Sequence, residues 1–286
     1  MNILIIGHHG MLGSDMLREA RSTGHDVTGA DVPDIDITSR ESIQTCIAAV
    51  KPQVIINCAA HTAVDACETD RDRAFAVNAQ GAGLLAGCAH ESNCVLVHFS
   101  TDYVFDGAKQ GPYVESDPTN PVSVYGKSKL EGERLVRAGC KRSFIFRIAW
   151  LYGARGNNFV KTIRTLAREY ALTGKPLRVV NDQFGTPTYT VDVCGQTLRM
   201  IGTGYFGLYH CTNEGECSWY DFAVEIVCAA KIPVQMVPCS TTEFPRPAPR
   251  PANSVLENSA LKKLGLNIMP HWKEAFEEFL REEGKK

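Results

Sequence analysis

No apolar run in this 286-residue chain approaches the roughly 20 residues that a membrane-crossing helix needs, so the chain is not expected to span a bilayer. Charge of one sign is not concentrated either. The 30 Lys and Arg residues stand against 32 Asp and Glu, a formal net charge of -2, and the terminal Lys285-Lys286 pair is too short to form a nucleic-acid-binding stripe. There is no internal repeat and no low-complexity tract, and the proline cluster from Pro238 to Pro251 reads as a rigid loop. No Cys-x-x-Cys occurs. The 11 cysteines are scattered, for example at Cys46, Cys58, Cys88, Cys140 and Cys228, many inside apolar patterns, which argues for reduced thiols rather than zinc ligands or disulfides. The start has no charged leader region or cleavage site, so a cytoplasmic location is expected. With 44% hydrophobic and 22% charged residues, the composition is that of a globular protein of one large or two modest domains.

What is present begins at the N-terminus. Met1-Asn-Ile-Leu-Ile-Ile6 suits a buried parallel strand, and Gly7-His-His-Gly10-Met11-Leu12-Gly13 then opens into a helical pattern. Strand, glycine turn and helix in that order form the context of a dinucleotide site. Gly7 makes the tight turn, Gly10 lets backbone N–H groups reach a pyrophosphate, and Gly13 lets the helix pack on the strand. The positive end of the helix faces the anion. His8 and His9 are read as solvent-facing. A second short strand, Asp26 to Asp31, ends in an acid 18 residues past Gly13. Such a carboxylate accepts hydrogen bonds from ribose hydroxyls and repels a 2′-phosphate, which leans toward NADH over NADPH.

The same rhythm continues. Helix patterns at about 11–23, 39–50, 71–92 and 123–139 alternate with strands near 2–6, 26–30, 53–57, 94–99 and 142–148. Alternation of this kind predicts an α/β fold, a Rossmann-like doubly wound parallel sheet. After Trp150 the rhythm breaks. Helices are expected at about 157–173, 190–202, 218–230 and 271–283, with strands at 177–180, 207–210 and 234–237. Residues 1–150 are therefore expected to bind the dinucleotide, with 187–211 returning to that sheet. Residues 151–286 are expected to form mainly a smaller C-terminal substrate domain. Asp36-Ile37-Thr38, Asn57-Cys-Ala59-Ala60 and Leu96 to Ser100 line up along the carboxyl edge of the sheet, where ligands of such folds lie.

The chemistry-bearing pair is Tyr125 and Lys129, following Ser100-Thr101-Asp102. Four residues apart on a helix, the two side chains share a face. A phenol titrates near 10 in model peptides, and an adjacent ammonium favours the phenolate, so the pair is expected to act as a tuned general acid.

With these motifs the chain resembles the extended short-chain dehydrogenase/reductase family, and within it the branch that reduces dTDP-linked 4-keto sugars. The resemblance rests also on Asn57 to Asp65, Ser100 to Gly107, Tyr125 to Glu133, Arg147 to Gly153, Gly156 to Phe159, Asn181 to Thr188 and Arg250-Pro-Ala-Asn-Ser254. It implies hydride transfer from NADH or NADPH to the 4-keto group of a dTDP-bound 6-deoxyhexulose. Thr101, Tyr125 and Lys129 would be catalytic, with Thr101 donating to the keto oxygen. Gly7, Gly10, Met11, Leu12, Gly13, Asp31, Asp36, Ile37, Ala59, Ala60, Thr62, Ser100, Tyr125 and Lys129 would hold the cofactor. Thr101, Asp102, Tyr125, Trp150, Asn158, Gln183 and Arg250 would bind the sugar nucleotide, Trp150 as a hexose platform and Arg250 at the diphosphate. Asn78 would support the site or pack its helix. Some family members dimerise around Mg2+; here Asp15 is available but Thr188 to Asp192 offers no matching second acid, so no metal ligand is assigned, and a monomer or a homodimer is expected. The resemblance leaves two alternatives: another nucleotide-sugar ketoreductase or epimerase, and a non-catalytic dinucleotide-binding regulatory subunit.

Overall fold

The computed structural model describes residues 1–284, so Lys285-Lys286 lie outside the described residues. The first half runs β1 (Asn2–Ile6), α1 (Met11–Ser22), β2 (Asp26–Ala30), α2 (Arg40–Val50), β3 (Val54–Asn57), α3 (Val64–Thr69), α4 (Arg71–Phe75), α5 (Ala82–Glu91), β4 (Val95–Thr101), α6 (Val124–Gly139) and β5 (Ser143–Ile148). The second half runs β6 (Leu151–Tyr152), α7 (Phe159–Thr173), β7 (Leu177–Val180), β8 (Phe184–Gly185), β9 (Thr188–Tyr189), α8 (Thr190–Ile201), β10 (Gly207–His210), β11 (Cys217–Ser218), α9 (Trp219–Ala229), β12 (Met236–Cys239), α10 (Ser259–Lys263) and α11 (Trp272–Gly284). No helix among the described residues is long and apolar enough to cross a membrane.

Six strands form one parallel sheet in the order β10-β5-β4-β3-β1-β2. The chain order reverses between β1 and β3, which places Gly7 at the crevice where ligands of doubly wound sheets lie. Strand alternation sends Ile3 and Ile5 to one face, where they meet Met16 of α1 and Val193 of α8. Leu4 and Ile6 go to the other face, against Ile43 and Ile47 of α2 and Leu85 of α5. A separate aromatic core gathers Tyr152, Tyr189, Phe222, Trp272, Phe276 and Phe279 around α7, α9 and α11.

Several expectations are corrected. The single helix expected over 71–92 is α4 and α5 joined by a π-helical turn at Ala76–Gly81, which carries Asn78. Such turns insert one residue and cluster at functional sites. The strand expected at 234–237 is Met236–Cys239, so Pro238 lies in a two-stranded edge rather than in the loop that follows. The paired two-residue strands and the short helices α3 and α10 leave no periodicity to read.

Helix α6 is tied to the sheet by buried charge. Arg147 of β5 donates twice to Glu133, from Nε and Nη2, both at 2.8 Å, and Ser100 Oγ donates to the same carboxylate at 2.5 Å. Both partners of the ion pair are almost fully buried. Removing one partner strands the other charge, so Arg147→Met should cost about 3 to 5 kcal/mol. Adding Glu133→Gln should recover most of that. Urea denaturation of the single and double variants checks this, and a single variant within 1 kcal/mol of wild type on that same scale would contradict it.

Candidate active site

The carboxyl edge of the sheet carries a cradle built by glycines. Gly7 takes a left-handed φ of 79°, and a Cβ there would stand 2.7 Å from Ala59 N, so β1 and the loop after β3 approach as closely as only glycine allows. A Cβ on Gly13 would meet Gly7 O at 2.1 Å, which is how α1 seats its N-terminus on the turn. Asp31, Asp36, Ile37, Thr38, Ala59 and Ala60 share a cavity of about 310 Å³ with Gly7 and Gly10. Asp31 accepts from the backbone N–H of Val32 at 3.0 Å and of His9 at 3.2 Å. This geometry fits a dinucleotide: amides at a helix N-terminus and a carboxylate at the end of the second strand. Of the two histidines read as solvent-facing, only His9 is exposed. His8 packs its ring on Gly29, because β2 offers a position without a side chain.

A second cavity of about 530 Å³ continues the first, lined by Gly10, Met11, Leu12, Ala60 and Thr62 on one side and by Ser100, Thr101, Asp102, Tyr125, Lys129 and Trp150 on the other. The structure thus brings the three expected catalytic side chains together. Ser123 caps α6 by accepting from Gly126 N, and from that start Tyr125, Lys129 and Glu133 fall on one face. Lys129 is 2% exposed and its Nζ donates to Phe99 O at 2.6 Å. Burial pulls its ammonium down to about 8, against the pull of Glu133. Tyr125 is pushed up by burial, and Thr101 pulls the other way. The expectation that Lys129 depresses the phenol is not met: burial dominates the tyrosine, and Lys129, its Nζ turned to Phe99 O, is not among the groups that shift it. The phenol therefore holds its proton at neutral pH, which is the form a proton donor needs.

Neighbouring hydroxyls also differ from expectation. Thr101 Oγ1 donates to Asp102 Oδ1 at 2.9 Å, so its proton is directed at its neighbour rather than into the cavity. Burial pushes Asp102 up to about 6, with Ser254 and Thr101 pulling the other way, and among the described residues its buried Oδ2 has no hydrogen bond of ordinary geometry. Ser100, assigned to the cofactor, lines the cavity, and its hydroxyl donates to Glu133. Asn78 donates to His61 O at 3.0 Å and Ser128 Oγ at 3.0 Å, bracing the loop after β3 against α6 with no bond to Lys129.

A third cavity of about 420 Å³ lies between the two halves, lined by Asp65 and Tyr103 of the first and by Phe159, Arg178, Gln183, Trp219, Arg246 and Arg250 of the second, among others. Arg250 is there as expected, paired with Asp65 Oδ1 at 2.6 Å. Gln183 is there too, donating to Thr241 Oγ1 at 2.9 Å. Asn158 is not. It caps α7 by accepting from Lys161 N and donates to Gly153 O at 2.8 Å, so its polar atoms are consumed locally. Trp150 has a positive φ of 46° and stacks on Trp219 with centroids 3.4 Å apart, while Gly185 lies against its ring. It is thus half of a tryptophan pair rather than a free platform. Trp219 and Arg246 were missed in the sequence; neither belongs to a motif, and only the fold places them beside Trp150 and Arg250. Asp15 is no exposed metal ligand: it is buried, accepts from Thr190 Oγ1 at 2.5 Å and pairs with Arg18 at 3.2 Å.

A glycine turn at the switch point of a parallel sheet, with threonine, tyrosine and lysine meeting on the adjoining cavity, defines a short-chain dehydrogenase/reductase fold and site. Within that class the chain belongs to the dTDP-4-dehydrorhamnose reductase family: the family model for the RmlD substrate binding domain matches residues 1–284. It is similar to the solved dTDP-4-dehydrorhamnose reductase of Clostridium acetobutylicum, 46% identical at a TM-score of 0.95, over 98% of this chain and 99% of that one. The Bacillus anthracis dTDP-4-dehydrorhamnose reductase, solved in complex with NADP, is 38% identical at a TM-score of 0.94 over 98% of both chains. A relative from Streptomyces antibioticus, a probable dTDP-4,6-dihydroxy-2-methyloxan-3-one 4-ketoreductase, is 38% identical over 97% of this chain and 94% of its own.

The lowered Lys129 sets a pH dependence of stability. Below about 8 the amine is charged in both the folded and the unfolded chain, and its burial penalty is in full force. Between about 8 and the unfolded value near 10.4 the folded chain binds fewer protons, so stability rises with pH, by about 3 kcal/mol at most. Wild type should therefore gain on Lys129→Met as pH rises from 8 toward 10.5, followed by urea denaturation at each pH. A constant difference would mean that the buried amine is not perturbed.

Proposed function

We propose that the chain reduces the 4-keto group of dTDP-4-dehydro-L-rhamnose to give dTDP-L-rhamnose, a step in the making of rhamnose-containing cell-surface polysaccharide. The observation that carries this reading is Thr101, Tyr125 and Lys129 on one cavity, between the glycine cradle and the arginine-lined cavity. A nicotinamide dinucleotide, when bound, supplies the hydride. Gly7, Gly10, Met11, Leu12, Asp36, Ile37, Ala59, Ala60 and Thr62 would hold it, with 1–150 and 187–211 as its domain. Asp31 at the ribose favours NADH over NADPH.

Tyr125, protonated and buried, gives its proton to the oxygen as charge develops there. Thr101 and Asp102 orient the sugar: Asp102 Oδ2 accepts a sugar hydroxyl. Thr101 becomes a donor to the oxygen once its bond to Asp102 is exchanged for one to the substrate. Lys129 fixes the floor of the cavity through Phe99. On the other side Arg250, with Arg246 beside it, takes the diphosphate by charge-assisted hydrogen bonds, Asp65 holding the guanidinium in place. The tryptophan pair walls off the hexose from solvent. A second reading, another dTDP-linked 4-keto sugar as substrate, is favoured by the Streptomyces antibioticus ketoreductase, which at 38% identity is as similar to this chain as the Bacillus anthracis reductase. The sugar panel below separates the two.

NADH oxidation against dTDP-, UDP- and GDP-linked 4-keto sugars should be fastest with dTDP-4-dehydro-L-rhamnose. Tyr125→Phe, which keeps the ring and loses the proton, should lower turnover by about two to four powers of ten with little change in cofactor affinity. Near-full activity in that variant would remove Tyr125 from the chemistry.

Arg250→Ala should weaken dTDP binding in calorimetry by about 1.5 to 3 kcal/mol while NADH binding stays the same. Arg250→Lys should recover part of the loss, since it restores charge without the fork. Equal dTDP affinity in wild type and Arg250→Ala would leave Arg250 as a partner of Asp65 alone.

A further inference from the structure

The reaction proposed above makes no use of the two histidines inside the glycine turn, yet their placement is built. A Cβ on Gly29 would stand 2.6 Å from His8 Cγ, so the glycine in the middle of β2 is what gives the His8 ring its bed. His9 lies on His8, ring centroids 3.9 Å apart. Its side chain is 73% exposed, its Nδ1 stands 3.6 Å from Asp31 Oδ2, and its own backbone N–H donates to that oxygen. The imidazole is thereby held beside the carboxylate at the ribose end of the cradle. Asp31, Val32, Asp36 and Thr38 line that cavity; among the described residues no lysine, arginine or histidine does, and His9 stands just outside the lining, against its Asp31 edge.

A carboxylate at this place repels a phosphate on the 2′ position, and a basic group nearby is what accommodates one. Histidine is the side chain that most readily takes up a proton near neutrality, and an imidazolium gives phosphate oxygen a charge-assisted hydrogen bond. We infer that His9, on its platform of His8, is the 2′-phosphate contact of this chain, and that it offsets Asp31 so that NADPH serves beside NADH. The inference rests on reading the glycine turn as a dinucleotide site. It assigns to His9 a choice between two cofactors, which the Asp31 carboxylate alone would make in favour of NADH.

The test is direct binding of NADH and of NADPH, by quenching of tryptophan fluorescence or by calorimetry, to wild type, His9→Ala and His9→Arg. His8, His9 and Asp31 also bring three metal-ligand atoms within 4.8 Å of one another, so the titrations are run with EDTA to keep metal out of the comparison. His9→Ala should weaken NADPH by about tenfold and change NADH by less than about twofold, the size of one charge-assisted hydrogen bond. His9→Arg should restore NADPH binding or tighten it. An unchanged ratio in His9→Ala, or an equal loss for both nucleotides, overturns the assignment. Failure of wild type to bind either nucleotide is a different result, and it would strike the dinucleotide reading itself.

Discussion

The site depends on one seam, the face of α6 laid against the ends of β4 and β5. Tyr125, Lys129 and Glu133 are spaced four apart, so each repeats the position of the last one turn on. Lys129 is tied to the Phe99 carbonyl, and Glu133 to Ser100 and Arg147. Each tie is buried, where an unmatched charge or carbonyl is costly, so the helix has little freedom to slide or rotate. Tyr125 inherits that fixity.

The seam also explains why burial governs the protonation states. Among charged groups Asp102 has the largest influence on Tyr125, and it raises the phenol further. The same burial lifts Asp102 to about 6 and lowers Lys129 to about 8. All three move toward their neutral forms. A pocket that suppresses charge in this way has fixed dipoles and hydroxyls where water would otherwise stand, and those act strongly on charge that appears during a reaction.

Around this seam the second half of the chain completes two walls. The Trp150 and Trp219 stack closes one side of the catalytic cavity and borders the arginine-lined one, so the two spaces share a boundary of aromatic surface. Trp150 pays for this with a left-handed backbone, a strain sustained by the packing of Gly185 and Trp219 on its ring.

Much of this was legible. The β1 run, the Gly7, Gly10 and Gly13 spacing, and the Tyr125 to Lys129 interval are local patterns whose geometry follows from a strand, a turn or a helix, and they fell in the expected places. Asn158 was legible in a different sense: an asparagine directly before an amphipathic helix is a common N-cap, and that local signal outweighs the nucleotide role assigned to it. Hydroxyl directions were not legible. Whether the Ser100 hydroxyl donates into the cavity or to Glu133, and whether Thr101 offers its proton to solvent or to Asp102, turns on which groups lie within 3 Å across elements distant in sequence. The π-helical turn at Asn78, the partner of Trp150 and the protonation of Tyr125 belong to the same category. Short-range pattern thus determined the elements, their order and the residues capable of chemistry. The tertiary structure alone decided which of them meet, what each hydrogen bond is spent on and which are charged, because burial and pairing are properties of the assembled neighbours and not of the residue.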